Sequence, residues 1–395
     1  MIKTKNFIFV LLACIILYSC KRKPYPQEEI PVPEEISEFQ NSYSSTDDEI
    51  PYSVIHTSDN CYVITGSTNT LSNGEYDMYL AKIDSAGNLL WRKSIGGAAL
   101  DGGFDVIETP DNAYLSVGFS KSFNFTNGYE VYVVKTDASG NNIWQKTFGG
   151  YNNDCAKNII LSKDNDGYII TGGTNGSLIQ LGNQVYITKI NFNGDSLWTK
   201  TYDSPYGEIG KSICYDPNGN LMILASPGAP YPGNDLYTLF CNSNGDTITT
   251  KTIGGSDRED AGEIIPSGND FILCATTLSY NDPNGDVYIS KIHPNGSTIW
   301  EKIIDTGYPD IANTIIQTSD NNLLIAGATT DSLNYTHALL IKTDLNGNLI
   351  WKKTFGNSAN YIVNKVIETT IAYILTGSKQ DATGGYDAFL FKIMK

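Results

Sequence analysis

The stretch Tyr79-Leu80-Ala81-Lys82-Ile83-Asp84, followed by Gly87-Asn88 and Trp91, decides the reading of this chain because it recurs. It returns as Tyr132 to Asp137 with Gly140-Asn141 and Trp144, and as Tyr186 to Asn191 with Gly194-Asp195 and Trp198. Later copies are Tyr237 to Asn242, Tyr288 to His293 with Trp300, Leu339 to Asp344 with Trp351, and a last one at Phe389 to Ile393. The lysine stands at 82, 135, 189, 291, 342 and 392, and Phe240 replaces it in the fourth copy, so successive spacings are 53, 54, 51, 51, 51 and 50. Seven units of about fifty residues fall in the period range of β-propeller blades.

Each unit carries four strand-like runs, here termed a to d. In the second unit they are 105–109, 113–118, 131–135 and 142–148. Thr109-Pro110-Asp111-Asn112 is a tight turn by composition. Asp137-Ala138-Ser139-Gly140-Asn141 suits a bulged hairpin, with Gly140 supplying a positive φ. Four antiparallel runs per repeat, without helical periodicity, predict an all-β fold: a seven-bladed β-propeller of four-stranded antiparallel blades. The seventh unit has runs a, b and c but no d. Upstream of the first unit, Phe39 and Tyr43, then Glu49 and Val54, repeat the offsets of Trp144 and Phe148, then Asp154 and Ile159. The N-terminal strand 38–44 therefore completes blade 7, which closes the ring and removes a free edge.

The units resemble the bacterial seven-bladed β-propeller repeat, often called the SBBP repeat. The shared pattern is an acid two residues before the aromatic of the phrase, then the phrase, Gly-Asn, Trp, Gly-Gly and an acid. The resemblance covers roughly residues 38–395. Units four and five depart from it, with Thr249 in place of Trp, and Ala225 and Ala275 in place of a strand-b glycine. It implies architecture and an exported setting rather than a reaction.

Residues 1–20 hold Lys3 and Lys5, then an apolar run from Phe7 to Leu17, then Tyr18-Ser19-Cys20. The run is too short to span a bilayer and has the length of a signal-peptide core. Its end resembles a bacterial lipobox, with Leu17 at −3, Ser19 at −1 and a bulky Tyr18 at −2. The resemblance implies diacylglycerol on Cys20, cleavage before it, and acylation of the new amine, in a lipoprotein on the cell outer membrane. Lys21 is not the Asp that commonly signals inner-membrane retention. Pro24, Pro26, Pro31 and Pro33 favour an extended tether, which at about 3.1 Å per residue reaches on the order of 50 Å. The expected organisation is a signal peptide at 1–19, a lipidated Cys and tether at 20–37, and the propeller at 38–395. The partner expected from this end is the membrane, through the N-terminal lipid.

Composition agrees with strands. Tyr is abundant at 25 residues and charged residues make up only 18%. The net charge is −16, and loss of Lys3 and Lys5 with the signal would take it to −18. So acidic a surface repels phosphate backbones and excludes nucleic acid as partner. His56, His293 and His337 are far apart in sequence, and no phosphate loop or nucleophile elbow occurs. No cofactor and no metal site are expected. Five cysteines remain after Cys14 and Cys20: Cys61, Cys155, Cys214, Cys241 and Cys274 have irregular spacing and predict free, mostly buried thiols.

The d–a connections carry an acid at one register: Glu49, Asp101, Asp154, Glu208, Asp260 and Asp310, with Tyr361 seventh. In a propeller these six carboxylates would ring one mouth of the central channel, where they could meet a cation or a polyol. Alternatively, each accepts amide N–H groups of its own loop and serves only the blade. A second acidic set opens run c: Asp77, Glu130, Asp235, Asp286 and Asp387, with Gln184 and His337 in the other units. The Asp-x-x-Gly-Asn turns at Asp84, Asp137 and Asp344 lack the later ligands of a calcium loop and read as hairpins. The repeated tryptophans are expected to pack blade on blade. Candidate binding aromatics in the variable b–c loops are Phe123, Phe125, Tyr231, Tyr280 and Tyr335.

The functional expectation is a non-enzymatic binding or scaffold propeller, monomeric, for a protein or glycan. One alternative is an envelope polysaccharide hydrolase or lyase using carboxylates such as Asp101 and Asp154. Another is an assembly component of a secretion or surface-layer system.

Overall fold

A computed structural model describes residues 38–43, 48–69, 74–123, 128–150, 153–175, 184–203, 207–227, 234–279, 285–356, 359–380 and 384–395. Cys20, the tether, Phe125, Tyr231 and Tyr280 lie outside the described residues. In chain order, β1 (Glu38–Tyr43) precedes blade 1, formed by β2 (Glu49–His56), β3 (Tyr62–Thr68), β4 (Asp77–Ile83) and β5 (Leu89–Ile95). Blade 2 is β6 (Asp101–Glu108), β7 (Tyr114–Ser120), β8 (Glu130–Thr136) and β9 (Asn142–Phe148). Blade 3 is β10 (Asp154–Leu161), β11 (Gly167–Thr174), β12 (Gln184–Asn191) and β13 (Ser196–Tyr202). Blade 4 is β14 (Glu208–Tyr215), β15 (Leu221–Pro227), β16 (Leu236–Cys241) and β17 (Thr247–Ile253). Blade 5 is β18 (Glu259–Ser267), β19 (Asp270–Thr277), β20 (Asp286–Ile292) and β21 (Thr298–Ile304). Blade 6 is β22 (Asp310–Gln317), β23 (Leu323–Thr330), β24 (Thr336–Thr343) and β25 (Leu349–Phe355). Blade 7 is β26 (Tyr361–Glu368), β27 (Ala372–Gln380) and β28 (Tyr386–Met394), joined by β1.

Every blade is a four-stranded antiparallel sheet, and no helix occurs among the described residues. The first strands of successive blades touch one another around a closed ring, β26 meeting β2. Closure is by strand exchange: β1 pairs with β28 from Glu38↔Ile393 to Tyr43↔Ala388. The described strand ends at Tyr43, and residue 44 lies outside the described residues. Tyr43 donates its hydroxyl to the Gly87 carbonyl at 2.9 Å, so the completed blade 7 also grips blade 1.

The motif that gave the period is explained by packing. Strands b and c are buried on both faces, because each blade is sandwiched by two neighbours, so their sequences read as continuous apolar runs. The lysine of strand c lays its stem through this core and brings its ammonium to the a–b turn. Lys135 Nζ lies 2.7 Å from Asp111, and Lys82 Nζ 2.5 Å from Asp59. The c–d hairpin bulges at Lys135/Thr136, with Gly140 at φ 76. The tryptophans cover the next blade's hairpin: Trp91 donates Nε1–H to the Ala138 carbonyl at 3.2 Å and lies against Gly140. Trp144 lies likewise on Gly194, and Trp198 on Gly245.

Candidate functional site

The repeated acids occupy the first position of strand a rather than a d–a loop. Strand a starts earlier than its apolar run suggests, at Asp101 in blade 2. Glu49, Asp101, Asp154, Glu208 and Asp310 are each at most 1% exposed. They are therefore enclosed between blades and not presented to the channel mouth. In blade 5 the register belongs to Glu259, which is fully buried. Asp260, expected in that place, sits one residue later and pairs with Arg258 (Nη2 to Oδ1, 2.6 Å). Adjacent acids at 259 and 260 made the register ambiguous, and the partly exposed one was the wrong choice.

Loop amides take up these carboxylates. Asp101 Oδ2 accepts the Gly97 N–H at 2.7 Å and the Ser122 hydroxyl at 2.6 Å. Asp154 Oδ2 accepts the Gly150 N–H at 2.7 Å. Asp310 accepts both the amide and the hydroxyl of Thr306. Glu259 Oε1 accepts the hydroxyls of Thr277 and Ser279.

The two acidic sets of the sequence form one feature. The strand-c acid of a blade faces the strand-a acid of the next, both above the first residue after strand d. A Cβ on Gly96 would meet Asp77 Oδ1 at 2.2 Å and Asp101 Oδ2 at 2.5 Å. Gly149 is capped in the same way by Glu130 and Asp154, and Gly254 by Asp235 and Glu259. Crowded carboxyls out of water resist ionisation. Burial, reinforced by Asp154, pushes Glu130 up to about 7. Burial also raises Asp154, Asp235 and Glu259, and takes Asp310 to about 6. At the blade 5–6 junction Asp305 replaces the glycine. There Asp286, Asp305 and Asp310 bring oxygens within 4.8 Å of one another, the one set among the described residues able to hold a metal ion. Three carboxylate oxygens suit a hard cation, although Asp310 is already engaged by Thr306.

A groove of about 620 Å³ between blades 2 and 3 brings together Phe123, Glu130, Asp154 and Tyr186. Phe123 stacks 5.5 Å from Tyr132. Tyr335 is far along the chain in a turn closed on Asp331, and is 41% exposed. Cys61, Cys155, Cys214, Cys241 and Cys274 are all free, but only Cys241 and Cys274 are buried.

The central channel holds the residues that sequence reasoning missed. Every strand a has a register break after its third residue, as at Gly103/Asp105 and Ala156/Asn158. The extra residue differs from blade to blade: Tyr52, Phe104, Lys157, Lys211, Asn313 and Asn364, with Gly262 and Glu263 in the wider break of blade 5. Just below runs a hydrogen-bonded belt. Asp105 accepts Ser53 Oγ–H at 2.7 Å and Asn158 Nδ2–H at 2.6 Å, bridging blades 1 to 3. Glu263 accepts Thr314 Oγ1–H and binds Lys365 Nζ at 2.5 Å, linking blade 5 to blade 7 past blade 6. Aligning the repeats and asking where they differ would have exposed this ring.

No family model matches the chain, and no curated protein matches it. Solved structures share its fold at low identity. The WD40 domain of Neurospora crassa Pan2 superposes with a TM-score of 0.56 at 10% identity, over 90% of this chain and 96% of that one. A protein of unknown function from Dyadobacter fermentans gives 0.55 at 10%, over 90% and 98%. Puromycin hydrolase gives 0.55 at 12%, over 88% of this chain and 54% of that one, so the propeller spans about half of the enzyme. A fold shared by a WD40 domain and a hydrolase is compatible with a binding scaffold and does not select a reaction.

Proposed function

We propose that this chain is a lipid-anchored cell-envelope propeller, of SBBP type, that acts as a non-enzymatic scaffold for a protein or glycan. One observation carries the reading: the strand-a carboxylates that recur in six of the seven blades are buried between blades, where loop amides and hydroxyls hold those of blades 2, 3, 5 and 6. Only positions that vary between blades remain to select a partner, in the b–c loops and the channel. The anchor follows from the lipobox-like Cys20 and from the short Pro-rich tether leading into the closing strand.

Two measurements test the proposal. Cys20→Ala should abolish incorporation of labelled palmitate and release the protein from the membrane fraction; retention would refute the anchor. The soluble 36–395 fragment should retain a defined polysaccharide or protein in a glycan-array and pull-down screen without altering it. Turnover of the retained polysaccharide would refute the non-enzymatic assignment.

A further inference from the structure

We infer that the upper part of the central channel is an anion site, in which the ammonium groups of Lys157 and Lys211 bind the carboxylate of a small ligand. The two lysines occupy the same bulge position on neighbouring strands, β10 and β14. The repeat does not require them, since the other blades place aromatic, amide or acidic residues there. A side chain that blade construction leaves free to vary is where a particular function can be installed.

Among the described residues, no carboxylate lies within ion-pair distance of either ammonium. The other cations of the channel have carboxylate partners: Lys365 has Glu263, and Arg258 has Asp260. Among the described residues, neither Lys157 nor Lys211 has an ion pair or a hydrogen bond. Lys157 instead rests over the Phe104 ring, 3.2 Å from its centroid. Phe104 packs 5.0 Å from Tyr52 and 5.5 Å from Phe119, which in turn meets Tyr129 at 5.4 Å. An aromatic wall thus rises on the Lys157 side of the pair.

The charged and titratable groups facing the pair are Cys155 on β10, and Arg258 and Asp260 at the start of β18. Burial, with repulsion from Lys211, brings Lys157 down to about 7, and burial also lowers Lys211. Two ammonium groups close together and poorly hydrated are costly, and an arriving carboxylate removes that cost. In a chain of net charge −16, this local positive potential is set against the general field, so it discriminates for an anion that enters the channel. Binding will draw a proton onto Lys157, and affinity will fall as pH rises through about 7.

The test uses the folded 36–395 propeller with sodium glucuronate as the probe and glucose as its uncharged match. Calorimetry should show saturable glucuronate binding with proton uptake, and no glucose binding. Lys157→Met and Lys211→Met should each weaken glucuronate by about tenfold or more, the scale of a lost charge-assisted bond. Without ligand, both variants should melt at or above the parent temperature, because a cation without an ion-pair partner has been removed. Equal affinity for glucuronate and glucose, or unchanged affinity in both variants, would overturn the site. A lower melting temperature in both variants would show that the lysines are structurally paired, and would overturn it as well. A partner captured on the b–c loops would leave this result untouched, so the site and the wider scaffold reading fail separately.

Discussion

At the scale of single residues, the Gly-Gly after strand d is a packing requirement. The first glycine lies beneath two carboxyls, and any Cβ there collides with both. Gly96→Ala should therefore destabilise the protein by about 1–3 kcal/mol, the range for overpacking, measured as a shift in the urea midpoint. A neutral result would mean that Asp77 and Asp101 part freely. Glu130 gives a prediction of opposite character. It releases its proton near 4.5 when unfolded and near 7 in the ring. The folded state thus holds the extra proton between those values. Its contribution is complete below about 4.5 and lost as pH rises through about 7. Carboxylates such as Asp59 and Asp111 are shifted down by their lysines and act in the other direction. The contrast with Glu130→Gln isolates the term. The parent should lose more stability than the variant between pH values of about 5 and 8. Parallel pH profiles would show that Glu130 ionises freely.

At the scale of strands, β1 bears the closure. It supplies the outer ladder of blade 7 and, through Asn41 and Tyr43, two hydrogen bonds to the Gly87 carbonyl of blade 1. Removing residues 38–43 exposes β28 as an edge and removes the ladder that joins the N-terminal strand to the C-terminal one. Thermal melting of that truncation should fall by several degrees, and hydrogen exchange should rise first in β28. An unchanged melting temperature would refute closure by strand exchange. Tyr43→Phe is the finer test and should cost about 0.5–1.5 kcal/mol, one hydrogen bond's worth.

At the scale of the whole ring, the Lys365–Glu263 pair is distinctive because it joins blades that are not neighbours. Lys365→Met leaves Glu263 without its cation in the channel. The cost should be about 2–3 kcal/mol, below the fully buried case because the side chains keep 22% and 17% exposure. Adding Glu263→Gln should recover part of it, read from denaturant midpoints of the single and double variants. Purely additive effects would show that the two residues do not interact.

The sequence alone determined what repeats. A strand has a fixed side-chain period, and a buried blade calls for similar apolar residues and turn glycines from unit to unit. The recurring phrase around Lys82, with Gly87 and Trp91 or their counterparts in most units, therefore spelled out the blades, and the displaced copy at Phe39 to Tyr43 spelled out the closure. What repetition could not convey is which repeated residues meet across a junction. The acids at 77 and 101 belong to different repeats and become one buried pair only when blades stack, while Glu259 and Asp260 were separable only by burial. The channel was hidden for the converse reason. Tyr52, Phe104, Lys157 and Lys211 share no chemistry along the chain, and only the bulge in each inner strand, placed by the curvature of the ring, turns them toward one another.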